Sequence, residues 1–145
     1  MDKDELLFGS EMIDVVESEF NANCDTEEAE EFVSSTYEEY KRQGSPPKVR
    51  QWLKKNLKGA YLCVDKPPEW AEGNPNWPYL NGKPMVFITQ YAVPQNQITE
   101  NSLTWDVVLY VFGQRIPLDN GYRVEYRLVE QMTGVDWKVY LDPGD

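Results

Sequence analysis

Among the side chains that carry most enzyme chemistry, this sequence has 25 Asp and Glu, two cysteines and no histidine. The lack of histidine removes Ser-His and Cys-His nucleophilic sites. It also leaves Cys24 and Cys63, 39 residues apart and without CxxC spacing, short of a zinc ligand set, so no metal is expected. A reactive thiolate at either position would need another base or a positive environment, and the chain around Cys24 is acidic. The two thiols read as reduced and at least partly buried, with a disulfide conceivable only in an oxidising compartment. Glu69 with Glu72, or Glu125 with Glu130, could act as paired general acid and base, although such pairs arise by chance among so many carboxylates. There is no P-loop and no GxGxxG, which leaves nucleotide chemistry without support and no cofactor expected.

Charge is the stronger signal. The net charge of -11 lies entirely within residues 1–44, where 14 acids face 3 bases; residues 45–145 balance 11 against 11. Backbone binding to nucleic acid needs clustered Lys and Arg, so nucleic acid is disfavoured as a ligand. A solvated acidic face that maintains solubility is one reading and a docking surface for a basic partner is the other. No apolar run approaches the ~20 residues that span a bilayer, and the acidic N-terminus is unlike a secretory signal. The expectation is a soluble, cytoplasmic protein with no membrane contact.

At 145 residues the chain fits one domain, a helical part over 1–58 and a β-sheet part over 59–145. Met12, Ile13, Val15, Val16 and Phe20 predict a first helix with Ser10 as N-cap. Asp25 and Glu28 form a capping box for a second helix that runs to Gly44. Ser45 and Pro46 start a third, which ends at Gly59 with Lys54, Lys55 and Lys58 in its last turn. Ala60–Val64 reads as a short strand. Residues 65–84 hold five of the ten prolines and form a long loop, with Asn81-Gly82 as a tight-turn signal. Met85–Ala92 and Trp105–Phe112 are apolar on both faces and predict the central strands, joined by the polar loop 93–104. Tyr122–Val129 alternates as a strand with one wet face, and Asp136–Leu141 closes the sheet. The fold class expected is α+β: two or three N-terminal helices packed on a mainly antiparallel sheet of four to five strands. The expected core is Phe32, Val33, Trp52, Leu53, Leu62, Phe87, Ile88, Val107, Leu109, Val111, Val124 and Leu128.

Trp77-Pro78, then Gly82-Lys83-Pro84-Met85 leading into Phe87-Ile88 and Gln90, and downstream Leu109-Tyr110-Val111-Phe112-Gly113, resemble the pattern of the YwqG-like bacterial family. The resemblance covers residues 67–131 and leaves out the acidic helical N-terminus. It implies no established activity, but related domains are suspected among immunity proteins that protect bacteria from toxins.

These observations favour binding over catalysis. One candidate surface is the acidic helical face, with Glu27, Glu31, Glu38 and Glu39 meeting a basic protein such as a toxin, where electrostatic steering speeds association. The alternative is a small-molecule or peptide groove lined by Trp70, Trp77 and Tyr79, with Gln90 as hydrogen-bond contributor. Against that groove stands the plainer reading in which the same rings cover the sheet. Oligomeric state is left open.

Overall fold

The computed structural model describes residues 2–71, 76–93 and 107–132. Helix α1 (Lys3–Phe20) begins well before Ser10 because Asp2 caps it, its carboxylate accepting the Glu5 amide at 2.7 Å. Thr26, not Asp25, opens the second helical segment: its hydroxyl accepts the Ala29 amide, and the 3-10 turn Glu27–Ala29 runs into α2 (Glu30–Arg42). Gly44 ends that segment at φ 86°, as its position implies. Helix α3 (Val49–Asn56) starts later than Ser45 and Pro46 suggest. Pro47 disfavours the helical region at Pro46, and Lys48 sits in the left-handed region at φ 62°, so the helix begins only at Val49. Buried Phe8, Met12, Val15 and Val16 form the packing face of α1. Phe8 sits among Tyr37, Tyr40 and Trp52 at ring separations of 5.0–6.2 Å, which joins the three helices.

Two short strands, β1 (Tyr79–Leu80) and β2 (Lys83–Pro84), flank the Asn81-Gly82 turn. Both turn residues have positive φ, 54° and 72°, as a type I′ hairpin requires. The main sheet is an antiparallel meander, β3 (Val86–Val93), β4 (Val107–Leu118) and β5 (Gly121–Met132), in the order β3-β4-β5. The α+β class is therefore observed, with three helices, a three-stranded sheet and a two-stranded one among the described residues. The expected central pair is adjacent; among the described residues β4 has a strand on each side and β3 a strand on one. On its other side, among the described residues, β3 receives a parallel bridge from Cys63 to Phe87, which is all that forms of the expected strand over 60–64. The predicted strand over 136–141, Trp105, and all but Val93 of the predicted loop over 93–104 lie outside the described residues.

The core differs from expectation in an orderly way. Trp52, Leu53 and Phe87 are buried in the core, and Phe32 and Val33 are half-buried against it; Val107 is buried too, but on the face of β4 that Leu109 and Val111 share, away from the helices. Ile88, Leu109 and Val111 are only half-buried. Leu62, Val124 and Leu128 are exposed, Leu128 by 60%. Alternation identified which residues of β5 share a face but not which face meets the helices. Register settles that: buried Tyr110 and Phe112 lie opposite Val129 and Arg127, so the apolar set Tyr122, Val124, Tyr126 and Leu128 points away from the helices. Arg127 is accommodated on the inner side by an ion pair with Glu28 and by the Tyr79 carbonyl.

Gly82 carries a specific demand. Its positive φ strains any L side chain, and Glu31 folds over the place a Cβ would occupy. Gly82→Ala should lower stability by about 1–2 kcal/mol in denaturant titrations, whereas an unchanged midpoint would show that the turn relaxes freely.

Candidate functional site

The aromatic-proline loop is committed to the core. Trp77 is 1% exposed, and its indole N–H donates to the Met85 carbonyl at 2.8 Å. Its ring meets Tyr61, Trp70 and Phe112 at 5.0–6.2 Å. Tyr79 is equally buried and donates its hydroxyl proton to the Asn23 carbonyl, while the Tyr61 hydroxyl donates to Tyr79 at 2.7 Å. Trp70 is half-buried, lies tilted against Tyr110 at 4.6 Å and donates to the Asn21 carbonyl. Gln90 forms a reciprocal pair with the Glu69 backbone, accepting its N–H and donating to its carbonyl. The structure thus brings Trp70, Trp77 and Tyr79 together as one packed cluster whose polar atoms are used internally. Gln90 lies beside them as the clasp that holds the loop to β3.

On the helices the four nominated acids separate. Glu38 pairs with Lys41 and Glu39 with Arg42, each one turn along α2. Glu31 leans on the Gly82 turn. Only Glu27 borders a larger opening, a groove of about 520 Å³ between α1 and the segment from Cys24 to Ser34. Leu6, Gly9 and Ile13 of α1 face Val33 across its floor, and Leu6 is 58% exposed. The spacing of these α1 residues, three or four apart, puts them on one helix face. Glu5, Asp25, Glu27 and Glu30 stand around the groove, and none has an ion-pair partner among the described residues.

This unpaired group results from where the cations of α3 go. Arg50 bonds Glu11 and Asp14, and Lys54 bonds Glu19, so the α3 side of α1 is compensated. The groove side is not. The positive end of α2, worth roughly half a unit charge, offsets only part of four carboxylates. Reading α1 from Ser10 leaves Glu5 and Leu6 outside the helix, Asp25 reads as a cap, and nothing local sets Glu30 beside α1. The available signal was Asp2, a capping residue three positions before Glu5.

The remaining candidates for chemistry are unfavourably placed. Burial, aided by neighbouring Asp25, pushes the Cys24 thiol up to about 12, and burial raises Cys63 as well. Both cysteines are free. Glu125 and Glu130, five apart on β5, point to opposite faces of the sheet, and Glu125 pairs with Arg123. Glu69 pairs with Lys66, and Glu72 lies outside the described residues. Among the described residues no group of three or more His, Cys, Asp or Glu is placed to hold a metal, and no helix is long and apolar enough to cross a membrane. Comparison with known proteins gives no matching family model, no similar curated protein and no similar solved structure.

The buried proton donors make a pH prediction. The unfolded Cys24 thiol ionises near 9, and Tyr61 and Tyr79, raised by burial, start from 10. Their folded values are higher, so their contribution is complete below pH 9 and is lost as the unfolded chain releases protons above it. Urea midpoints should hold steady to about pH 9 and fall steadily from there towards about 12. A midpoint unchanged at pH 11 would contradict this burial.

Proposed function

We propose that this is a non-catalytic binding protein that takes a basic protein partner on its acidic helical face, in the manner of an immunity protein neutralising a toxin. The observation that supports the reading is the groove between α1 and α2, where unpaired Glu5, Asp25, Glu27 and Glu30 surround an apolar floor. A basic amphipathic helix fits that chemistry: its apolar side lies on Leu6, Ile13 and Val33, and its Lys and Arg reach the rim. Long-range attraction from the surplus of residues 1–44 would speed encounter, and the desolvated apolar contact would set residence time. The YwqG-like resemblance over residues 67–131 supports the immunity setting of this reading. The Trp-loop alternative is not favoured, since its rings and their polar atoms are occupied within the core.

The test uses a Lys-rich amphipathic model helix first and candidate basic toxins second. Binding should be strong at low salt and weaken markedly near 1 M, where the screening length falls to about 3 Å. Changing Glu5, Asp25, Glu27 and Glu30 to Lys should abolish it while the circular dichroism spectrum is retained. Gly9→Phe, which projects into the groove, should block it without altering charge. Binding that survives both changes would place the partner elsewhere.

A further inference from the structure

The outer face of the sheet carries an apolar surface that the acidic groove does not use. Tyr91 of β3, together with Tyr122, Val124, Tyr126 and Leu128 of β5, points to this side by register. Val64 joins them beside β3, since the bridge partner Cys63 faces inward with Phe87. These are large and open to solvent: Val64 is 68% exposed, Tyr126 64% and Tyr91 59%. The half-buried Leu109 and Val111 of β4 form the floor between them. The face is also preformed. Tyr126 lies opposite Gly113, where its ring, Ile88 and Val124 crowd the space a Cβ would need.

We propose that this face is a self-association surface, on which a second copy of the chain packs sheet against sheet. Three observations identify the occupant. At 150–250 Å² for a large side chain, the exposed apolar side chains amount to roughly 500–850 Å², at or above the upper end of an ordinary monomer's largest patch and close to the ~800 Å² per partner of a stable complex. The charge distribution permits it, because the whole surplus of -11 lies in residues 1–44, on the other side of the sheet, while the strands are close to balanced. Two copies joined by their sheets hold their acidic helices apart. The face also carries one cation and one anion in complementary places. Arg115, stacked on Tyr122 at 4.4 Å, lies towards the β4–β5 turn, and Glu130 lies towards the far end of β5. Neither has an ion-pair partner among the described residues. A two-fold axis across the strands reverses one copy, brings Arg115 of each towards Glu130 of the other, and sets Tyr126 against Leu128. Such an isologous contact closes on itself and produces a dimer rather than a filament.

Sedimentation velocity and light scattering on the full chain, up to about 100 µM, test this. The wild type should be a dimer. Tyr126→Lys and Leu128→Lys should each raise the dissociation constant by a hundredfold or so, with helix and sheet signals in circular dichroism retained. Arg115→Glu should weaken the dimer about tenfold, and adding Glu130→Arg should restore it. The exchange pair keeps the test valid should a core-side change disturb folding. A monomeric wild type at all concentrations overturns the proposal, as does a dimer indifferent to Tyr126 and Leu128. A monomer that unfolds on Leu128→Lys also overturns it. The groove variants with Lys at Glu5, Asp25, Glu27 and Glu30 should leave the dimer intact, so this inference and the partner reading can fail separately.

Discussion

The fold depends on the Trp77 indole and its hydrogen bond to Met85. A Trp buried this deeply must find a partner for its N–H, and the Met85 carbonyl, at the entry to β3, is that partner. The bond fixes the residues just before β1 against the start of β3, so the chain between them has to turn tightly, as Asn81 and Gly82 permit. The same ring touches Tyr61 after α3 and Phe112 on β4. Helical half, connecting loop and sheet therefore share one aromatic contact set. Glu28 reinforces it from the helical side by accepting the Tyr79 amide and pairing with Arg127 of β5.

Charge is organised by the same packing. With α3 lying along α1, Arg50 and Lys54 fall beside Glu11, Asp14 and Glu19. Exposed pairs of this kind contribute little stability each, a median of roughly 0–1 kcal/mol. Their larger consequence is spatial: they neutralise one side of α1 and leave the other negative. An even acidic coat would signal solubility alone. A rim of carboxylates with no ion-pair partner among the described residues, set around an apolar floor, is what the proposed partner reading rests on.

Much of this was legible in residues. The Asn81-Gly82 turn, the stop at Gly44 and the adjacency of β3 and β4 follow from local stereochemistry and from continuous apolar runs. The inward placement of Trp77 and Tyr79 also followed from the reading of those rings as a cover over the sheet. The groove was not legible, because it joins Glu5 and Leu6 to Glu27 and Glu30 across two helical segments whose packing no local pattern shows, and Asp2, which starts α1 ahead of Ser10, is the one local sign of its first turn. Nor could counting acids show that Glu38 and Glu39 are occupied by Lys41 and Arg42 while Glu5 and Asp25 are not.

By itself the sequence determined the helices, the strands β3, β4 and β5, the α+β class and the sets of residues that share a face, because helix and strand periodicities are properties of the local chain. Tertiary structure alone decided which set faced inward. On β5 the sequence offers Tyr122, Val124, Tyr126 and Leu128 as the natural buried set, yet those side chains are exposed. Pairing with β4 brings Val129 beside Tyr110 and Arg127 beside Phe112, where Glu28 compensates the buried-side charge. A strand presents one face or the other according to its neighbour's register, and that register depends on contacts many residues away, which no local pattern encodes.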